Sequence, residues 1–142
     1  MADASGAGLL DTSVVILLSR LRDPSVLPEV PLISSVTLAE LSVGPHVART
    51  DAERAARQAV LQQAEADFDP LPFDDRAARA FGRVAASLRS SGRTVRARSD
   101  DAMIAAIAIA NDLPLYTDNP AGFAGIDGLD VRTVTVTRVG AS

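Results

Sequence analysis

Residues 98–119 read RSDDAMIAAIAIANDLPLYTDN, and this stretch decides the fold. A polar cap, Ser99, and two carboxylates, Asp100 and Asp101, precede a run of alanine, methionine and isoleucine that lasts to Ala110. Acidic residues suit the partial positive charge at a helix N-terminus, and the run that follows offers no polar face to water. The pattern therefore predicts a central helix that packs on a sheet.

Outward from this helix, the chain alternates short apolar strands with helical patterns. Such alternation predicts an α/β fold whose mostly parallel sheet carries helices on both faces. The length of 142 residues and a hydrophobic content of 47% suit a single domain over residues 1–142, with flexible ends at 1–8 and 138–142. The predicted strands are Gly8–Asp11, Leu32–Ser35, Leu113–Tyr116 and Leu129–Val136, and the other predicted helices are Thr12–Arg22, Val36–Val43, Thr50–Ala66 and a fourth that begins near Asp74.

The composition excludes several kinds of chemistry. The chain has no cysteine, which excludes thiolate catalysis and thiolate metal sites, and all 14 basic residues are arginine. Without lysine, neither a P-loop nor a phosphoryl-transfer site that depends on lysine can form. The chain has one histidine, His46, which is predicted to lie in a loop. A ribonuclease mechanism that needs two histidines is therefore excluded. No secretion signal or membrane-spanning stretch is present, so we expect a soluble, cytoplasmic protein.

Four acidic residues occupy comparable positions at predicted strand ends or helix starts. Two of them have a plain structural alternative: Asp11 could simply cap the helix that follows it, and Glu40 could be a surface residue at a helix edge. If the acids converge, their mutual repulsion is most simply relieved by a bound hard cation, which means Mg²⁺ or Mn²⁺. The four acids are Asp11, Glu40, Asp101 and Asp118.

A locally basic loop precedes the central helix. Arg93, Arg96 and Arg98 lie there without an intervening acid, and they could contact a phosphate backbone. The alternative is an ordinary solvated surface, since no aromatic residue is interleaved to stack on bases.

Four blocks of the sequence resemble a known family. LLDTSVVI at 9–16, SSVTLAELSVGP at 34–45, RARSDDAMIAAIAIA at 96–110 and LYTDNPAGF at 115–123 are similar to the blocks of PIN-domain ribonucleases, and in particular of VapC-type toxins. The resemblance implies a three-layer α/β/α fold and magnesium-dependent cleavage of RNA. It also implies inhibition by a VapB-type antitoxin and a toxin homodimer.

The same resemblance implies site residues. The first three family acids fall on Asp11, Glu40 and Asp101, and the fourth falls on either Asp118 or Asn119, of which we favour Asp118. These acids would hold the metal, and a metal-bound water would attack the phosphorus.

Neighbouring polar residues are expected to support this site. Thr12, Ser13 and Asn119 would orient the metal ligands or the water. Two alternatives stay open: a PIN-fold nuclease that processes RNA without a toxin role, and a PIN-fold binding module without catalysis.

Overall fold

The structure, a computed structural model, describes residues 6–96 and 99–135. Within them, strands alternate with helices as the sequence predicts. The strands are β1 (Ala7–Leu10), β2 (Val30–Leu32), β3 (Leu115–Thr117) and β4 (Val131–Thr133), and the helices are α1 (Thr12–Leu17), α2 (Ser35–Val43), α3 (Asp51–Asp67), α4 (Asp75–Ser90) and α5 (Ser99–Ala110).

The described strands form a parallel sheet in the order β2-β1-β3-β4. The chain leaves β1 for β2 on one side and later returns to pair β3 with the other side of β1. The border between β1 and β3 is therefore the point at which the strand order changes direction. Open α/β sheets place their ligands at the carboxyl end of such a border.

Helices cover both faces of this sheet. Successive side chains of a strand point to opposite faces, and Leu9 packs with α4 and α5 while Leu10 packs with α1 and α3. The central helix predicted from the sequence is α5, which is buried on almost all sides. The result is the α/β arrangement expected from the alternating pattern.

The observed elements differ from the predicted ones mainly at their ends. The second strand ends at Leu32. Beyond it, Ser34 forms a single parallel bridge with Leu71 and caps α2, its hydroxyl accepting the Thr37 N–H at 3.0 Å. The first helix is shorter than predicted. It tightens to a 3-10 turn over Leu18–Arg20, ahead of the Asp23-Pro24 step, where a residue before proline favours extended backbone.

The third and fourth strands are also shorter than predicted. Leu113 lies outside β3 because its N–H bonds to the carbonyl of Ala108 and so completes the end of α5. The fourth strand covers Val131–Thr133, and Val136 and the predicted flexible end at 138–142 lie outside the described residues. The first strand begins at Ala7, inside the segment predicted to be flexible. None of the helices in the described ranges is long and apolar enough to cross a membrane.

Candidate active site

Asp11 lies directly after β1, at the border with β3. Its backbone N–H donates to the carbonyl oxygen of Tyr116 at 2.9 Å, which fixes Asp11 against the end of β3. The residue is only 6% exposed. A carboxylate that is so strongly buried needs several hydrogen-bond donors.

Three donors from the described residues supply them. Asp11 Oδ1 accepts the Thr12 N–H at 2.8 Å, and Oδ2 accepts the hydroxyls of Ser13 at 3.0 Å and Thr117 at 2.8 Å. The bond from Thr12 is also the N-cap of α1, so Asp11 caps a helix while it faces the sheet edge. A carboxylate has about four lone-pair positions, so one position on Oδ1 stays available to a further ligand.

Thr117 is a part of this site that the sequence analysis did not identify. It is fully buried at the end of β3, and its hydroxyl also accepts the N–H of Asn119 at 3.0 Å. The available signal was its spacing of two from the buried Leu115, since residues i and i+2 of a strand share a face. That spacing places a polar side chain on a buried face, where it needs a partner.

A chain of hydroxyl groups links α1 to α2. Thr12 Oγ1 donates to Glu40 Oε1 at 2.6 Å and lies 2.9 Å from Thr37 Oγ1. Because Thr12 has one hydroxyl proton and gives it to Glu40, Thr37 is the donor in the second bond. Ser34 Oγ donates to Thr37 Oγ1 at 3.4 Å, and both Ser34 and Thr37 are fully buried. Glu40 is therefore held by a directed chain of three hydroxyls.

The pKa of Glu40 is raised above its ordinary value. The largest cause is partial burial, which removes water from the carboxylate, while the hydrogen bond from Thr12 lowers the pKa. The negative charges of Asp100, Asp11 and Asp101 raise it further. The charges of two other predicted acids, Asp11 and Asp101, thus act on Glu40, and that of Asp100 acts on it more strongly than that of Asp101.

Asp100 and Asp101 both lie in the first turn of α5. Asp100 is exposed and Asp101 is half-buried. The partial positive charge of a helix N-terminus stabilises acids at this position, which offsets some of their repulsion. The central helix therefore brings its acidic end to the site.

Asp118 and Asn119 follow β3 in an exposed turn. Among the described residues, the charge of Asp118 is not one of those that shift the pKa of Glu40. Asn119 contacts the site through its backbone N–H and not through its amide side chain. Which of these two residues fills the fourth position stays a prediction.

The predicted basic loop is described only in part. Arg93 donates to the carbonyl oxygen of Ala121 at 3.0 Å and so anchors the 3-10 segment Pro120–Phe123, and Arg96 is exposed. Arg98 lies outside the described residues. His46 is exposed in the 3-10 segment Gly44–Val47.

The carboxylates suit a hard cation that keeps much of its water. Among residues 6–96 and 99–135, no three His, Asp or Glu side chains are close enough to hold a metal ion by themselves. Mg²⁺ commonly takes one or two protein carboxylates and fills its other positions with water. The oxygen donors and the available lone pair of Asp11 fit such an ion.

Glu40 borders two clefts. One, of about 710 Å³, lies between α1 and α3 and also contains Thr12, Arg20 and Arg57. The other, of about 380 Å³, lies between α2 and α5 and contains Asp100 beside apolar side chains such as Met103. Glu40 is therefore open to a ligand from two sides, and Asp100 from one.

Comparison with known proteins identifies the family. The model of the PIN domain matches residues 9–129. The chain belongs to the PIN-domain family. This result confirms the resemblance drawn from the four sequence blocks, and it agrees with the parallel sheet and the helices on its two faces.

Named relatives of this PIN domain are VapC proteins. It is 41% identical over 141 residues to Ribonuclease VapC5 of Mycobacterium tuberculosis, covering 98% of this chain and 100% of the relative. It is 34% identical over 103 residues to Ribonuclease VapC8 of the same species, covering 72% of this chain and 91% of the relative. The crystal structure of VapBC-5, a member of the VapBC family of toxin-antitoxin systems from M. tuberculosis, matches with a TM-score of 0.78. That match has 41% identity and covers 91% of this chain and 99% of the other.

Proposed function

We propose that this PIN domain is the toxin of a VapBC-type toxin–antitoxin pair and that it is an endoribonuclease that hydrolyses RNA with the help of a divalent metal. The observation that carries the proposal is the Asp11 carboxylate, held by three donors at the switch point of the sheet beside Glu40. The 41% sequence identity to Ribonuclease VapC5 over 141 residues supports both RNA cleavage and the toxin role.

Asp11 and Asp101 would hold the metal, with Glu40 and Asp118 completing its surroundings. Mg²⁺ is the proposed ion and Mn²⁺ the alternative, because all of these donors are carboxylate oxygens. When bound, such an ion lowers the pKa of a water molecule and neutralises charge on the phosphate. The hydroxyls of Ser13, Thr117 and Thr12 keep the carboxylates in place before any ion arrives.

Glu40 is suited to receive a proton from the attacking water. Its Oε1 is engaged by Thr12, which leaves Oε2 to accept a proton from the water. Attack by water on phosphorus, with cleavage of the bond to the 3′-oxygen and protonation of that oxygen, would yield a 5′-phosphate and a 3′-hydroxyl and needs no histidine. This agrees with a chain whose one histidine, His46, lies on the surface.

The partners follow from the same assignment. We propose a VapB-type antitoxin as the inhibitor, RNA as the substrate and a homodimer as the working form, acting in the cytoplasm where cellular RNA is found. The match to the VapBC-5 toxin–antitoxin structure supports the antitoxin. Arg93, Arg96 and Arg98 are proposed to contact the RNA, with Arg93 limited by its bond to Ala121.

The proposal is tested by cleavage of total cellular RNA with purified protein, with added Mg²⁺ or Mn²⁺ and with a chelator. Asp101→Asn should abolish cleavage while the protein stays folded. Asp75→Asn is the matched control, because Asp75 is also an acid in the first turn of a helix. Its helix end is far from the site, since the next residue, Arg76, bonds to the carbonyl of Ala110 at the opposite end of α5.

Three possible results of this experiment distinguish a metal-dependent nuclease from its alternatives. Discrete fragments that require both a metal and Asp101 establish the nuclease, and sequencing of the fragment ends identifies the target. Full activity of Asp101→Asn removes Asp101 from the site. Absence of cleavage by folded wild-type protein that is free of antitoxin argues instead for a binding module.

A further inference from the structure

The cleft between α1 and α3 is lined by groups of both charges. Glu40 and Thr12 line it together with Arg20 and Arg57, and apolar side chains such as Ile16 line it as well. We propose that Arg20 and Arg57 bind backbone phosphates of the RNA strand that reaches Glu40. This inference rests on the proposed ribonuclease function and adds to it the path of the substrate.

Arg57 is held in place for this purpose. One terminal nitrogen donates to the carbonyl oxygen of Gly44 at 3.0 Å, and the other pairs with Glu53 at 2.7 Å. The guanidinium has five N–H donors, so these two contacts leave donors for a phosphate. A side chain that is already fixed loses less entropy when it binds a ligand. Arg57 is thus a rigid anion-binding group at the border of the cleft.

Arg20 is exposed at the end of the 3-10 turn that follows α1. Within residues 6–96 and 99–135 it has neither a hydrogen bond nor an ion pair with a side-chain acid. An unpaired arginine beside a cleft is available to an external anion, and its planar group suits phosphate. Arg20 is therefore a second phosphate-binding group.

The charges around Glu40 explain why cations are needed in this cleft. The negative charges of Asp100, Asp11 and Asp101 all act on Glu40. A polyanion that approaches a cluster of carboxylates is repelled unless cations lie along its path. Two arginines in the same cleft as Glu40 supply that attraction.

The cleft also fits a single strand in size and surface. Its volume of about 710 Å³ lies in the range of sites that enclose small ligands, so it admits part of one strand. The apolar side chains Ile16, Ala59 and Val60 can contact sugars and base edges. RNA that is read by proteins commonly presents single-stranded loops. The proposed ligand is therefore a single-stranded segment of the substrate.

The test measures binding of a fluorescein-labelled single-stranded RNA of mixed sequence to full-length protein at several salt concentrations. Asp101→Asn is present in every protein to prevent cleavage. Arg20→Gln and Arg57→Gln should each weaken binding several-fold at low salt. Each should also reduce the slope of log K against log salt by about 0.7, the value for one phosphate contact with a single strand.

Matched controls separate this effect from general loss of charge or stability. Arg22→Gln removes an exposed arginine two residues from Arg20 that does not line the cleft. Arg54→Gln matches Arg57→Gln, because Arg54 also lies on α3, pairs with an acid there, Asp51, and donates to a neighbouring carbonyl, that of Pro45. Both controls should keep the wild-type salt slope. In proteins with intact Asp101, the two cleft variants should raise KM and leave kcat nearly unchanged.

The possible outcomes separate the role of the two arginines from the proposed ribonuclease function. If the salt slopes of Arg20→Gln and Arg57→Gln are unchanged and the wild-type protein cleaves RNA, this inference is overturned and the ribonuclease function stands. Equal losses in the control variants overturn it as well. Weaker binding of an antitoxin with unchanged binding of RNA would assign the cleft to the antitoxin instead. If wild-type protein neither binds nor cleaves RNA, the proposed function fails, and this inference fails with it.

Discussion

The hydroxyl of Thr117 donates a 2.8 Å hydrogen bond to Asp11, although 106 positions of sequence separate the two residues. The bond joins the carboxyl ends of β1 and β3. It fixes the rotamer of a buried carboxylate whose backbone is already tied to β3. The orientation of the proposed metal ligand thus depends on a threonine from the far end of the chain.

We predict that Thr117→Val destabilises the protein by about 1 to 3 kcal/mol, because a buried carboxylate loses one of its donors. Cleavage should fall by about 10- to 100-fold, as is common when a group that orients a metal ligand is removed. Thermal unfolding and RNA cleavage measure the two effects. Thr117→Ser keeps the hydroxyl and should recover most of both. Thr133→Val, on an exposed part of β4, is the control and should change neither.

Thr37 acts on Glu40 through Thr12. Thr37→Val removes the donor to Thr12 and leaves the Ser34 hydroxyl without its acceptor. With a net worth of about 1 kcal/mol per hydrogen bond, we expect kcat to fall by about 5-fold and KM to stay nearly constant. Thr37→Ser should restore kcat. A loss that appears in KM, or that serine does not restore, would contradict a role in positioning Glu40.

The raised pKa of Glu40 predicts how stability depends on pH in the presence of a chelator. Because the folded state holds the Glu40 proton more tightly than the unfolded state, this group favours folding below the unfolded pKa. That contribution is lost as the pH rises through the folded pKa. Glu40→Gln keeps an acceptor for Thr12 and carries no charge. It should therefore melt at a higher temperature than wild type at neutral pH.

The difference between the two melting temperatures should shrink as the pH falls towards the ordinary pKa of a glutamate, since wild-type Glu40 is then protonated in both states. Added Mg²⁺ should raise the melting temperature of wild type more than that of Glu40→Gln. A melting-temperature difference that is constant with pH would show that the charge of Glu40 does not act on stability. Cleavage by Glu40→Gln should be strongly reduced.

Gly8 permits the close approach of Tyr116 to β1. A Cβ atom at position 8 would lie 2.4 Å from Tyr116 Cε1 and 3.0 Å from Pro28 Cβ. We expect Gly8→Ala to destabilise the protein by about 1 to 3 kcal/mol through overpacking. In a Tyr116→Leu background the same change should cost less, because the ring is gone. Chemical denaturation measures both.

Gly82 provides the opposite case for comparison. It lies in α4 with nothing within 4 Å of an added Cβ. Gly82→Ala should stabilise the protein by about 0.5 to 1 kcal/mol, since alanine restricts the unfolded chain more than glycine does. Equal effects of the two substitutions would mean that the contact with Tyr116 does not limit position 8.

The helices were the most predictable part of this fold. The helix predicted to begin near Asp74 begins at Asp75, and the apolar run that predicts α5 ends at Ala110 as the helix does. Strand ends were less predictable, because strands of three or four residues carry little periodicity and compete with caps. Ser34 shows this competition: its hydroxyl caps α2, so the residue does not extend β2.

The candidate site was predictable as a set of acids and not as a set of contacts. Asp11 was ambiguous between a helix cap and a sheet-edge ligand, and its Oδ1 does cap α1 while the residue lies at the switch point. Arg20 and Arg57 were not identified, because each belongs to a helical segment whose arginines look alike in sequence. Only the packing of α1 against α3 distinguishes them from Arg22 and Arg54.

The sequence by itself determined the alternation of strands and helices and the placement of acids at their ends. These features follow from local periodicity and capping, which act over a few residues. The tertiary structure decided that β3 lies beside β1, that Thr117 joins Thr12 and Ser13 in holding Asp11, and that Glu40 lies between two clefts. Those relationships depend on strand order and helix packing, which join residues far apart in the chain and leave no local pattern.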